Sequence, residues 1–299
     1  MARIKSASFI LMICACLTAG VAYCGTLENG VSAYQEGDYK TALKILQELS
    51  IQGNPSAQHY LGNMYHEGYG VAQNYREAVK WYTKSASQGN THCMWLLGDM
   101  YNNGRGVKQS FIDGLMWFRR GADLGDVASQ SSLGFMFYKG LGVEKDYAEA
   151  LKWYQRAGEQ GDAIAQTALG YLYFRGWGVN QDYRKAVFWY QRAADQGNPR
   201  GQWRLATMYY NGLGVKKDIA ESIKLFTRAS EKGDPEAQGA LGEMYANGIG
   251  VTQDYVQAYA LFSLAAANGS RLAEKQKESV AAHLTSTQLS QALKKAGLQ

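Results

Sequence analysis

The stretch AQTALGYLYFRGWGVNQDYRKAVFWYQRAADQGNPR, residues 165–200, decides the fold. It carries Leu169-Gly170, then Gly176, Gly178 and Val179, then Asp182-Tyr183, Ala186 and Trp189-Tyr190, and it closes on Gly197-Asn198-Pro199. Each landmark returns at steps of 36 residues. The Leu-Gly pair recurs as Leu61-Gly62, Leu97-Gly98, Leu133-Gly134 and Leu241-Gly242, with Leu205-Ala206 the one variant. Gly-x-Gly-Val recurs at Gly68/Gly70/Val71, Gly104/Gly106/Val107, Gly140/Gly142/Val143, Gly212/Gly214/Val215 and Gly248/Gly250/Val251. A further glycine column runs Gly53, Gly89, Gly125, Gly161, Gly197, Gly233 and Gly269. The tryptophan column reads Trp81, Trp117, Trp153 and Trp189, and continues as Leu225 and Leu261. Copies kept in phase without insertion mark a repeat array.

The columns translate into two helices per copy. Asn54, Asn90, Asp126, Asp162, Asn198, Asp234 and Ser270 form one N-cap column, of side chains that accept from the free N–H groups at a helix start. Pro55, Pro199 and Pro235 follow such caps directly, at the position where a missing N–H costs nothing. The first glycine of Gly-x-Gly ends this helix in a left-handed turn. Asp38, Asn74, Ser110, Asp146, Asp182, Asp218 and Asp254 cap the second helix, which the further glycine column ends. Ala57, Leu61, Met64 and Tyr65 fall on one face of the first helix. The second helix carries a small column (Ala78, Gly114, Ala150, Ala186, Ser222, Ala258) and an aromatic one (Tyr82, Phe118, Tyr154, Tyr190, Phe226, Phe262). One copy cannot bury its own apolar face, so stability has to come from stacking.

These columns, from Ala57 to Arg271, resemble the Sel1-like repeat family, whose copies are slightly longer than the ~34-residue tetratricopeptide unit. The resemblance implies an all-α fold, an α/α right-handed superhelical solenoid of 36-residue helix-turn-helix repeats. Its six copies would be 57–92, 93–128, 129–164, 165–200, 201–236 and 237–272. Residues 25–56 resemble a tetratricopeptide-like N-terminal capping pair, with Tyr34, Gly37-Asp38-Tyr39 and Ala42 but no Gly-x-Gly. Residues 273–299, ending in an amphipathic segment after Leu284-Thr285, read as C-terminal capping helices. The resemblance further implies a scaffold for protein partners, with roles in envelope assembly, regulation of signalling proteins or host-cell interaction.

Bulk properties agree with a folded, non-nucleic-acid-binding protein. Of 299 residues 46% are hydrophobic, ample for a core. The net charge of +5 is modest, and Arg3 and Lys5 of the N-terminal segment carry two of those charges; nucleic acid usually demands a clustered basic face. Residues 1–24 read as a signal peptide: a basic start, an apolar run from Phe9 to Ala19 too short to span a bilayer, then Gly20, Val21 and Ala22. The mature protein is therefore expected in the periplasm or secreted, with lipid anchoring through Cys16 or Cys24 as the alternative; with this segment, the family resemblance implies a Gram-negative bacterial source. Cys93 is the one cysteine of the repeats, so no disulfide framework is expected.

Three features of the sequence could suggest catalytic or ligand chemistry. The Gly-x-Gly copies follow a helix instead of a strand and lack the Lys-Ser/Thr of a phosphate loop, so they read as turns. His59, His66, His92 and His283 form no His-Glu-x-x-His pattern, and neither metal nor cofactor is expected. Ser131 has no matched base. No catalytic residue is assigned and the chain reads as a non-enzyme. The alternative is a cell-wall protein that binds or hydrolyses peptidoglycan or a β-lactam; exported members of the family tied to penicillin binding carry paired cysteines in each repeat, which this chain lacks.

Removing the constant columns from the first helix leaves a variable stripe at i, i+4, i+7. It reads His59/Asn63/His66, Trp95/Asp99/Asn102, Ser131/Phe135/Tyr138, Thr167/Tyr171/Phe174, Trp203/Thr207/Tyr210 and Gly239/Glu243/Ala246. In solenoids of this family the first helix lines the concave face. Trp95, Phe135, Tyr138, Tyr171, Phe174, Arg175, Trp203 and Tyr210 are thus the candidate residues for a protein or peptide partner, aromatic rings with arginine being the usual make-up of a hot spot. The competing reading packs these rings between adjacent repeats.

Overall fold

The structure, a computed structural model, describes residues 26–298. The signal segment read in residues 1–24, with Cys14, Cys16 and Cys24, lies outside the described residues. The described chain is all helix and turn, with no strand. It begins with α1 (26–36), α2 (Tyr39–Ile51), α3 (Pro55–Glu67), α4 (Tyr75–Ser87), α5 (Thr91–Asn103) and α6 (Phe111–Asp123). It continues through α7 (Val127–Lys139), α8 (Tyr147–Glu159), α9 (Ala163–Arg175), α10 (Tyr183–Asp195) and α11 (Pro199–Asn211). It ends with α12 (Ile219–Glu231), α13 (Pro235–Asn247), α14 (Tyr255–Ala267), α15 (Arg271–Ala281) and α16 (Ser286–Lys295). The fold class is an all-α repeat solenoid built from consecutive helix pairs.

The helix ends follow from local chemistry. The Asn198 side chain accepts from Gly201 N at 2.8 Å, Pro199 takes N1, and the helix stops at Gly212 with φ 70°. Asp182 accepts from Lys185 N at 3.0 Å to start α10, and Gly197 (φ 75°) ends the turn behind it. Two glycines show a second reason for their columns. Gly142 has φ 68°, and a Cβ there would lie 2.5 Å from the carbonyl carbon and oxygen of Phe111, so the loop rests on the backbone at the start of the preceding second helix. Gly170 is helical, but a Cβ there would lie 2.5 Å from the Tyr190 ring. The Leu-Gly glycine is a seat for the second helix's aromatic ring.

By its internal contacts the described chain divides into two units, residues 26–136 with 140–144, and residues 137–139 with 145–298. In the first, α2 packs on α3, α3 on α4, α4 on α5 and α5 on α6. Its cores are Ala42, Leu46, Ala57 and Met64, and then Ala78, Tyr82, Leu97 and Met100. In the second, consecutive helices from α8 to α15 pack in turn, α9 also touches α11, and α14 holds α16. Its main core gathers Ala186, Tyr190, Leu205, Met208, Leu225, Phe226 and Leu241. Cys93 is free and buried.

A buried polar ladder runs between successive copies. Gln166, 1% exposed, donates to Gly158 O at 2.9 Å, and its Oε1 accepts from Gln196 Nε2 at 2.8 Å. Gln58 does the same with Ser50 O (3.1 Å) and Gln88 (2.8 Å), and Gln238 with Ser230 O (3.1 Å) and Asn268 (3.1 Å). Each glutamine ties a first helix to the end of the second helix before it, adding a side-chain donor to a terminal carbonyl that also accepts from the backbone of the following turn.

Candidate partner-binding surface

In the second unit the stripe residues of α9 and α11 lie on neighbouring helices that touch. Tyr138 and Tyr171 come together around Trp177, the middle residue of a Gly-x-Gly loop. The Trp177 ring lies 6.1 Å from that of Tyr138, meets Tyr171 edge-on at 5.5 Å, and stacks on Tyr147 at 4.9 Å. Arg175, exposed, places its guanidinium 4.9 Å from the Trp177 ring. Arg204 bridges the next gap: its guanidinium is 4.7 Å from the Tyr171 ring and 4.3 Å from that of Trp203. Arg200 covers Trp203 at 4.8 Å and is held by Glu236 at 2.6 Å and Asp234 at 3.6 Å. The result is an alternation of rings and guanidinium groups, the arrangement that cation–π attraction favours.

The stripe is not uniform. Tyr138, Tyr171, Phe174, Trp203 and Tyr210 are all half-buried. Phe174, Trp203 and Tyr210 also pack against the core, and Phe174 meets Tyr183 at 5.5 Å. Lys217 lies 5.7 Å from the Tyr210 ring. In the first unit, Phe135 is 46% exposed, whereas Trp95 is half-buried, donates to Ser132 Oγ at 3.1 Å and stacks on His92. The stripe's polar members there serve the fold. Asn63 Oδ1 accepts from Tyr82 Oη at 2.7 Å, and Asn63 Nδ2 lies 3.2 Å from His59 Nε2. Burial, with the charge of His92 adding to it, brings the His59 imidazole down to about 4, so it stays neutral.

Tyr190 departs from this arrangement. It stands in the same column as Tyr82, but position 171 is tyrosine where position 63 is asparagine. The Tyr190 hydroxyl is buried and has no hydrogen-bond partner among the described residues. Burial drives the Tyr190 phenol up, and burial also lowers the Arg204 guanidinium.

Three contributors lay outside the sequence stripe. Trp177 occupies the middle of a Gly-x-Gly whose other copies hold Tyr69, Arg105, Leu141, Leu213 and Ile249; that variability was the available signal. Arg204 sits one residue beyond the stripe, in a column that reads Tyr60, Leu96, Ser132, Ala168, Arg204, Ala240. Tyr147 follows a helix cap and looked purely structural. No group of three or more His, Cys, Asp or Glu side chains able to hold a metal occurs among the described residues. No described helix is long and apolar enough to cross a membrane.

The Sel1 repeat model matches six consecutive segments: 55–90, 91–126, 127–162, 163–198, 199–234 and 235–270. The chain belongs to the Sel1 repeat family. No curated protein matches it. Among solved structures it is similar to a Sel1 repeat protein from Oxalobacter formigenes, at 35% identity and TM-score 0.75, over 80% of this chain and 98% of that one. It is also similar to a protective antigen of uropathogenic Escherichia coli with an SLR fold, at 30% identity and TM-score 0.70, over 92% of this chain and 68% of that one. Sel1-repeat proteins are typically scaffolds for protein–protein interaction, and this chain has that repeat architecture.

Proposed function

We propose that this Sel1 chain is an exported adaptor, periplasmic or secreted, that holds a protein or peptide partner on the aromatic strip of α9 and α11. One observation carries the reading. The strip concentrates half-buried rings and stacked arginines, the composition of interface hot spots, at positions that vary from copy to copy. Position 171 makes this plain, because tyrosine there leaves the buried Tyr190 hydroxyl without the acceptor that Asn63 gives Tyr82. The tyrosine gives up that hydrogen bond and gains contacts with Trp177 and Arg204 in the strip instead, and a local rule broken in this way is a mark of functional positions. Likeness to a bacterial protective antigen supports action outside the cytoplasm, as does the basic-then-apolar segment at residues 1–24. Envelope assembly, regulation of a signalling protein and contact with a host cell all fit such an adaptor.

The test is photo-crosslinking in the native cell. A benzophenone amino acid replaces Tyr171 in one strain and Phe188, an exposed ring on α10, in another. A discrete adduct from position 171 that is absent from position 188 is the expected result. Equal adducts from both positions, or none from 171, would contradict the strip as the docking surface.

A further inference from the structure

The strip's charges are not balanced internally. Arg200 is paired with Glu236 and Asp234, and Arg105 in the first unit has Asp99 at 3.7 Å. Arg204 and Arg175 have no carboxylate partner among the described residues. Arg204 is half-buried, with rings on it at 4.7 Å (Tyr171) and 4.3 Å (Trp203). A guanidinium so placed has lost part of its hydration; Glu236 acts on it only at longer range while paired to Arg200, and its direct contacts are rings, so its N–H donors are under-used. Its planar fork matches a carboxylate, and stacking fixes the fork in advance, which lowers the entropy lost on binding.

We infer that the partner presents an acidic segment to the strip, and that Arg204 receives one Asp or Glu side-chain carboxylate from it. Arg175, over Trp177, supplies a second positive charge on the same strip. This rests on the strip being the docking surface. A phosphate ligand would suit a stacked arginine too, but Sel1 repeats are typically protein-interaction scaffolds, and two arginines beside a Glu-paired Arg200 are not the clustered basic face that nucleic acid demands.

The experiment selects random linear peptides displayed on phage against the full chain, and sorts the binders by loss on Tyr171→Ala. Strip-dependent binders are expected to carry Asp or Glu at a fixed position. Replacing that residue by its amide should weaken binding about tenfold or more, as for a hydrogen bond to a charged group. Arg204→Gln should cause a similar loss, and on that variant the acid and amide peptides should bind alike. Arg204→Gln should keep or raise the melting temperature; if it unfolds the chain, Arg204→Lys, expected to retain the acidic preference with weaker affinity, replaces it. Tyr171-dependent binders that ignore both changes overturn the carboxylate inference and leave the strip standing. Binders that ignore Tyr171→Ala, or no binders at all, overturn the strip and the inference with it. Displacement of the peptides by poly-uridylate at equal charge concentration overturns the acidic-peptide assignment in favour of a phosphate ligand.

Discussion

Tyr82 and Tyr190 occupy one column of the repeat and differ in what meets their hydroxyls. Tyr82 donates to Asn63 at 2.7 Å, while Tyr190 is equally buried and has no partner among the described residues. Removing only the oxygen therefore has opposite consequences. Tyr82→Phe breaks a hydrogen bond and leaves the Asn63 carbonyl short of a donor, which should cost ~1–2 kcal/mol. Tyr190→Phe relieves an unsatisfied hydroxyl and should be neutral or stabilise by up to ~1 kcal/mol. Urea unfolding of both variants measures the difference, and equal losses would show that Tyr190 is hydrogen-bonded after all. At this scale the sequence was only half legible. The aromatic column announced itself through period and spacing, but the hydroxyl's fate depends on which stripe residue meets it. Arg204 escaped for a related reason: one residue off a stripe defined by spacing, it reaches the strip through the length of its side chain.

Helix limits were legible almost to the residue, because capping is local chemistry. The Asn and Asp column, the N1 prolines and the left-handed glycines each act within a few residues of the chain. The glutamine ladder was not, because an exposed and a buried glutamine look alike in sequence and only packing distinguishes them. The second copy, with Met94 and Leu124, has no rung, and the rung at Gln202 is incomplete. Gln202 donates to Ala194 O at 3.4 Å, but its Oε1 is buried without a partner among the described residues. The residue standing where Gln88 and Gln196 stand in other copies is Lys232, and its Nζ reaches Gly197 O at 2.6 Å instead. Lys232→Gln should complete the rung and raise stability by ~0.5–1.5 kcal/mol, the net worth of one buried hydrogen bond. Thermal unfolding followed by circular dichroism checks it, and a lowered melting temperature would mean that the lysine's bond to Gly197 outweighs the rung.

For the whole molecule, the repeat period fixed the fold class, since stacking is the one way such amphipathic pairs bury their faces. The partner is less legible, because a binding surface is defined by a second molecule that leaves no period in the first. Export is expected on the strength of residues 1–24. Mass spectrometry of protein purified from its native host should show an N-terminus between Gly20 and Cys24, and an intact Met1 or Ala2 start would contradict export with cleavage. The central claim, that the strip binds while the constant columns fold, is tested most directly by comparing Tyr171→Ala with Trp153→Ala. Trp153 is 4% exposed, donates to Glu149 at 3.0 Å, and should cost ~3–5 kcal/mol of stability when truncated. Tyr171→Ala should unfold at much higher denaturant than Trp153→Ala while weakening recovery of the crosslinked partner by ~1–3 kcal/mol. If Tyr171→Ala unfolds the chain as readily as Trp153→Ala, the strip is core; if it leaves both folding and partner recovery unchanged, the partner docks elsewhere.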